Sequence, residues 1–174
     1  MHIKHLVLTV VIAFLTVAPQ TISAQFVNGK VYLGPHIGLS AIGSSPTFGA
    51  NFEAPITQPG KAGPGIIGIS ARADYWSWSY SDVDKFTWIT LAVYANYHFA
   101  LEDKTWDPFL GLGLGYENVS WSYSGVGSGN NIYPSAVFFS LEGGVRYFFS
   151  PNFALRALVG FGITYVVVGV DWAL

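Results

Sequence analysis

After residue 25 the sequence alternates with period two almost from end to end, and one of the two alternating faces contains no charged residue. Successive side chains of a β-strand point to opposite faces of a sheet. The uncharged face carries aliphatic and aromatic residues, such as Leu33 and Ile37 early in the chain and Val166 and Val168 near its end. The other face carries polar and charged residues, namely His36, Glu53, Arg72, Asp74, Asn96, His98, Glu117, Glu142, Arg146, Arg156 and Asp171.

This distribution of charge decides which face lies outside. A soluble sheet buries its apolar face and exposes its charges. Here only 10% of the residues are charged, against about 25% in typical soluble domains. The remaining charges after residue 25, Asp107 among them, are expected in turns or at strand ends. The polar face must therefore be enclosed and the apolar face must lie outside, which is the arrangement of a transmembrane β-barrel.

The alternating segments and the turn clusters between them predict an all-β chain of eight strands. Tilted membrane strands need about 9 to 11 residues, and closure is required because an open sheet edge in lipid leaves unpaired N–H and C=O groups. We therefore predict an eight-stranded antiparallel up-and-down transmembrane β-barrel. Pro35 cannot donate to a ladder, so we expect a bulge there. The predicted strands are 31–42, 47–56, 65–78, 86–101, 108–121, 134–149, 153–161 and 165–174.

The first 24 residues have the pattern of a cleavable secretory signal peptide. His2, Lys4 and His5 precede an apolar stretch of residues 6–18, and the closing Ile22-Ser23-Ala24 predicts a small-residue cleavage site with cleavage after Ala24. A retained membrane helix would need about 20 apolar residues. The domain expectation is therefore a signal peptide at 1–24 and a barrel at 25–174. An exported chain without Cys must fold without disulfides.

Several stretches carry a family resemblance: "NYHFAL", "WDPFLGLGLGY", "GGVRYFFSPNFALRALVGFG" and "YVVVGVDW". They resemble the small eight-stranded outer-membrane β-barrels of Gram-negative bacteria, the OmpA-like and OmpX-like porin-family barrels, in particular their Bacteroidetes-type members. The resemblance implies an outer-membrane location, contact with outer-membrane lipid, and insertion by the outer-membrane assembly machinery. It also implies that Gly169, Trp172 and Leu174 form the C-terminal insertion signal.

Outward aromatic residues near strand ends are expected to form a girdle at the membrane interface. They are Tyr97, Phe99, Tyr147, Phe149 and Trp172. With an even strand count both termini lie in the periplasm, so the segments near residues 43–46, 79–85, 122–133 and 162–164 face outward. All four are short, which disfavours a large receptor surface.

An eight-stranded barrel is only wide enough for its own side chains to fill the interior. We therefore expect a lumen closed by a charge network, because buried charges persist only when they are paired. The network comprises Glu53, Asp74, Glu117, Glu142 and Asp171 against Arg72, Arg146 and Arg156, with His36, Asn96 and His98 as polar lumen residues. Arg156 and Asp171, on neighbouring strands, are expected to lie close together.

The expected function is a non-enzymatic outer-membrane barrel with a structural or surface role and at most small-solute passage. No catalytic residue, metal or cofactor is predicted, a monomer is favoured, and a net charge of -2 excludes a basic nucleic-acid surface. Two alternatives stay open. A lipid-modifying barrel enzyme would need His and Ser together on the outward face, and a secreted lipocalin-like binder would need a charged exterior around an apolar cavity.

Overall fold

The computed structural model describes residues 26–40, 45–79, 84–123, 129–132, 135–162 and 164–174, and these form nine strands. The described part of the chain contains no helix that is long and apolar enough to span a bilayer. The strands are β1 (Tyr32–Ser40), β2 (Pro46–Pro55), β3 (Ile66–Ser79), β4 (Asp84–His98), β5 (Trp106–Tyr123), β6 (Gly129–Ile132), β7 (Ala136–Ser150), β8 (Phe153–Phe161) and β9 (Thr164–Ala173).

Eight of these strands close into a barrel in which every neighbouring pair is antiparallel. The order is β4-β3-β2-β1-β9-β8-β7-β5, and β5 pairs back to β4. The first and last strands meet at the β1–β9 seam, where the backbone N–H of Leu174 donates to the carbonyl of Val31 at 2.9 Å. We call this the terminal end, and the opposite end, reached by Ser40 and Phe161, the distal end. The prediction of an eight-stranded all-β barrel is confirmed.

The barrel is apolar outside and polar inside. The outward side chains of the strands are large hydrophobic residues, including Ile37, Leu91, Leu112 and Val168, each about half exposed. The buried side chains include an unusual set of polar and charged groups: His36, Glu53, Arg72, Asp74, Asn96, His98, Asp107, Glu142, Arg146, Arg156 and Asp171. A surface of this kind is stable only in a solvent as apolar as lipid.

Two sequence expectations about the strands are wrong. The loop before the sixth predicted strand contains an additional short strand, β6, which pairs with the distal end of β5. Pro35 does not mark a bulge, because β1 keeps the same register with β9 on both sides of it, from Leu33 opposite Trp172 to His36 opposite Gly169. Gly34 and Pro35 have no partner in the β1–β9 register, so the ladder is interrupted there without gaining an extra residue. The register shift falls instead at Leu39 and Ser40.

Three strands extend further at the distal end than the rest. β3, β4 and β5 have 14, 15 and 18 residues, whereas β1, β2, β8 and β9 have 9 or 10. β7 also has 15 residues, but its distal residue Ala136 lies opposite Glu117, six residues before β5 ends. We call the distal parts of β3, β4 and β5, together with β6, the distal extension. Its outward face is polar from Ser77, Thr87 and Asn118 onward, and its inward face is aromatic.

Candidate functional site: the charged lumen

One cluster of ion pairs fills the terminal half of the lumen, and Arg146 lies at its centre. The side chain of Arg146 has no exposed surface. Its guanidinium donates to Glu53 from Nη2, to Asp171 from Nε at 2.6 Å, and to Asp107 from Nη1 at 3.3 Å. Three carboxylates from β2, β5 and β9 therefore converge on one cation of β7.

His98 joins the same cluster between two of these acids. Its Nδ1 lies 2.9 Å from Asp107 Oδ1, and its Nε2 lies 2.9 Å from Glu53 Oε1. A carboxylate only accepts hydrogen bonds, so both ring nitrogens donate only when His98 is an imidazolium ion. Asn96 Nδ2 donates to the same oxygen of Glu53 at 2.6 Å. Glu53 thus connects β2 to β4 and β7 through one carboxylate.

Arg156 lies beside this cluster with weaker contacts. It is directly opposite Arg146 in the β7–β8 register, so two like charges are neighbours across strands. Arg156 Nη2 lies 3.5 Å from Asp171 Oδ1, and neither atom has a hydrogen-bond partner among the described residues. The expected neighbours Arg156 and Asp171 are therefore close, but the shortest contact of Asp171 is with Arg146.

A second cluster occupies the distal half of the lumen around Arg72. Arg72 donates to Glu142 at 2.7 Å, to Asp74 at 3.1 Å and to the hydroxyl of Tyr94 at 2.9 Å. His36 Nε2 lies 2.8 Å from the other oxygen of Asp74. These contacts connect β1, β3, β4 and β7 across the lumen.

Small residues on β5 leave the space that these long side chains occupy. A Cβ atom at Gly111 would overlap the side chain of Asn96, one at Gly113 would overlap Tyr94, and one at Gly115 would overlap Phe138. The alternation of Gly along β5 therefore lets residues from β4 and β7 reach the axis of the barrel. The "GLGLG" stretch has a packing role in this lumen.

The buried carboxylates of the described lumen outnumber its arginines. Five buried carboxylates face three guanidinium groups, which leaves two negative charges, and the two lumen histidines each touch a carboxylate. An unpaired buried charge costs several kcal/mol, and both ring nitrogens of His98 face carboxylate oxygens, so the geometry favours a His98 that donates from both nitrogens. The carboxylates are Glu53, Asp74, Asp107, Glu142 and Asp171, the guanidinium groups belong to Arg72, Arg146 and Arg156, and the histidines are His36 and His98.

One predicted network residue lies apart from the two clusters, and one unpredicted residue is central. Glu117 is only half-buried and makes no ion pair among the described residues. Asp107, which sequence reasoning assigned to a turn or strand end, is fully buried because β5 begins at Trp106 rather than at Pro108. Extending the alternation of β5 by two residues would have placed Asp107 on the inward face beside Phe109 and Gly111.

The aromatic residues expected at a membrane interface lie together near the terminal end. Tyr97 contacts Phe99 with ring centroids 5.0 Å apart, and Tyr147 contacts Phe149 at 4.9 Å. Trp172 packs at 5.6 Å against Phe153, and Tyr147 at 4.7 Å against Trp106, two aromatic residues that sequence reasoning did not single out. At the distal boundary, Tyr75 and Tyr116 are the last aromatic residues on the outward faces of β3 and β5 before those faces become polar.

The two histidines of the described residues lie inside the lumen. His36 and His98 are the only histidines after residue 25, and both point into the lumen and bind carboxylates. No group of three or more His, Cys, Asp or Glu side chains within the described ranges could hold a metal ion. The ion pairs hold strands together and fill space.

Solved structures with the same architecture support this description of the fold. Ail, the attachment invasion locus protein of Yersinia pestis, matches with a TM-score of 0.55 and 15% identity, over 84% of this chain and 95% of Ail. The N-terminal β-barrel domain of Pseudomonas aeruginosa OprF matches with a TM-score of 0.56 and 16% identity, over 84% of this chain and 98% of that domain. The chain has the fold of the small eight-stranded outer-membrane β-barrels.

A de novo designed transmembrane β-barrel matches as well, with a TM-score of 0.53 and 12% identity, over 84% of this chain and 97% of the design. No protein-family model matches the sequence, and no curated protein matches it significantly. At these identities the likeness concerns the fold alone. What the barrel does has to be argued from its own lumen and surfaces.

Proposed function

We propose that this chain is an integral outer-membrane barrel with a structural or surface role, and that its lumen is closed to all but the smallest solutes. Residues 1–24 are removed as a signal peptide, and the terminal end faces the periplasm. The observation that carries the proposal is the double ion-pair network. Side chains from all eight barrel strands meet there, and the three arginines have exposures of 0 to 4%.

The network supports a closed lumen because its members are tied across the barrel axis rather than along one wall. Arg146 of β7 reaches Glu53 of β2, and Arg72 of β3 reaches Glu142 of β7. Opening a water path would separate these charges from their partners, and breaking a buried pair costs about 3 to 5 kcal/mol. Thermal motion at room temperature does not supply that energy often.

Planar-bilayer recording tests this proposal directly. The refolded parent protein is expected to show no stable open level, whereas the double variant Arg72→Ala with Glu142→Ala, which removes both partners of a pair, is expected to show small ionic currents. The matched control is Lys61→Ala, since Lys61 is exposed in the segment between β2 and β3 and lies outside the lumen. A large, stable and ion-selective conductance of the parent would refute the closed lumen.

The two alternatives make different demands on the molecule. A lipid-modifying enzyme needs its His and Ser on the lipid face, but both histidines are enclosed. Unchanged lipid profiles on overexpression are the expected result, and a modified lipid A or phospholipid would revive the enzyme. A lipocalin-like binder needs a charged exterior, but the exterior is apolar, so recovery in a detergent-free periplasmic fraction would contradict our proposal.

We further propose that Gly169, Trp172 and Leu174 act as the insertion signal for the assembly machinery. Trp172 and Leu174 are both exposed on the outward face of β9, at 44% and 71%. Gly169 lies inside, against His36 and Arg156. Changing Leu174 to Asp should slow membrane assembly in cells without abolishing refolding in detergent. Equal assembly rates of the parent and the Leu174→Asp variant would argue against this insertion signal.

A further inference from the structure

Phe26, which precedes the first strand, is completely buried in the barrel. Its exposure is 0%, although it belongs to no strand and the next residue, Val27, is 37% exposed. The ring stacks on the imidazole of His98 with centroids 3.7 Å apart and planes 11° from parallel. It also packs at 4.9 Å against Tyr32 and lies 5.4 Å from the guanidinium carbon of Arg146. The segment before β1 therefore folds back so that this ring enters the terminal half of the lumen.

Barrel residues form the cavity that holds the Phe26 ring. A Cβ atom at Gly68 would lie 2.8 Å from Cζ of Phe26, so a larger residue at position 68 would collide with the ring. An aromatic ring stacked on the His98 imidazole and close to the Arg146 guanidinium gains cation–π attraction that an aliphatic side chain lacks. The cavity therefore fits a flat aromatic ring.

The segment that carries the ring is fastened on both sides of the terminal opening. The backbone N–H of Val27 donates to the hydroxyl of Tyr32 at 3.0 Å. Lys30 Nζ donates to the carbonyl of Pro151 and to Oδ1 of Asn152, both at 2.8 Å, across the turn between β7 and β8. These contacts hold residues 26–30 under the barrel.

We propose that Phe26 is an intramolecular plug that closes the terminal end of the lumen and keeps water away from the Glu53–Arg146–Asp107 cluster. This inference rests on the closed lumen proposed above and names the residue that seals it from the periplasmic side. The proposed cleavage after Ala24 leaves one residue before the plug, which allows the ring to enter without threading a long segment. Without the ring, His98 and Arg146 face an opening that admits small water-soluble molecules.

Thiol accessibility tests the plug, because the natural chain contains no Cys and one engineered thiol reports without background. Ser70→Cys places the thiol beside Asn96, at the level of Glu53 and just beyond the plug. Thr90→Cys places a thiol opposite Asp74 in the distal half. Both positions are buried, at 1% and 0% exposure. Each cysteine variant is prepared in three forms: with Phe26 unchanged, with Phe26→Ala, and with Val27→Ala as the matched control.

The probe is a small cationic methanethiosulfonate reagent applied to protein refolded in detergent, with folding checked by heat-dependent mobility in SDS gels. The thiol at position 70 is expected to react at least about tenfold faster with Phe26→Ala, since a buried thiol otherwise reacts only through rare opening. Val27→Ala should leave that rate unchanged, and position 90 should respond to neither change. If Phe26→Ala does not refold, Gly68→Ala displaces the ring while leaving it in the chain.

The outcomes separate this inference from the closed lumen itself. Fast reaction at position 70 with Phe26 in place would refute the closed lumen. Slow reaction at position 70 both with Phe26 and with Phe26→Ala would mean that the ion pairs alone close the lumen, and it would refute the plug. Equal acceleration at positions 70 and 90 would show that Phe26→Ala loosens the whole barrel, which also refutes the plug.

Discussion

The membrane-spanning barrel and the distal extension are built from the same strands with opposite polarity. Along β3, the inward residues change from Arg72 and Asp74 to Trp76, and the outward residues change from Tyr75 to Ser77. On each face the change occurs between one residue and the next residue on that face, two positions along the chain. Trp76 is 3% exposed and stacks on Trp88 of β4 with ring planes 3° apart.

The difference shows that the surroundings of a sheet, and not its strand pairing, decide which face is apolar. In lipid, outward hydrophobic groups cost no free energy and outward charges cost several kcal/mol. The membrane-spanning barrel therefore keeps its charges inside. Beyond the interface, water covers the outward face of the extension, and the hydrophobic effect drives aromatic residues to its inner face. We therefore expect the membrane boundary at the distal end to lie near Tyr75 and Tyr116.

The largest expected effect comes from removing the central cation of the lumen. Arg146→Met should lower the free energy of unfolding by about 3 to 5 kcal/mol, since it leaves Glu53, Asp107 and Asp171 without their shared partner. Urea titration of the detergent-refolded protein measures it. The matched change in the extension, Lys85→Met, removes a cation from an exposed outward position and should leave the midpoint unchanged. Equal shifts in both variants would remove the distinction between the two regions.

A new charge on the outward face locates the membrane boundary. Leu112→Arg, in the membrane-spanning barrel, should lower the free energy of unfolding in a bilayer by about 2 to 4 kcal/mol, because Leu112 is 62% exposed on the outward face. Ser120→Arg, eight residues further along the same face of β5, should change stability by less than about 0.5 kcal/mol. The comparison is made in lipid vesicles. A similar loss for Ser120→Arg would place the boundary beyond the extension.

Asp171 tests how far the terminal cluster tolerates the loss of one acid. Asp171→Ala should cost about 1.5 to 3 kcal/mol, the range for a hydrogen bond to a charged group. Arg146 keeps Glu53 and Asp107, while Arg156 loses its neighbouring carboxylate at 3.5 Å. The urea midpoint should therefore fall, but less than for Arg146→Met. An unchanged midpoint would show that Asp171 contributes nothing to the cluster.

The smallest effect is expected at the layer where the polarity changes. Glu117 points inward between Tyr116 and Asn118, is half-buried, and has no ion pair among the described residues. Glu117→Gln should shift the free energy of unfolding by less than about 0.5 kcal/mol, whereas Glu142→Gln weakens the bond from Arg72 and should cost more. The reverse order would place Glu117 in the network and Glu142 outside it.

Much of the fold was predictable because alternation is a local property. A face without charges over eight segments permits only an enclosed polar side, so the barrel follows from the sequence alone. The same rule failed for Asp107 because the start of β5 was placed two residues late. The rule placed Glu117 on the correct, inward side, but alternation assigns a side of the sheet and not a depth along the barrel axis, so it did not show that Glu117 lies apart from the two clusters.

The sequence by itself determined the closed all-β architecture, the lipid-facing surface and the inward direction of the buried charges, because each depends on neighbours two residues apart. Only the tertiary structure decided the partners. Arg146 meets acids from three other strands, and Phe26 reaches His98 from outside the sheet. Those contacts depend on barrel closure and strand register, which join residues up to 93 positions apart.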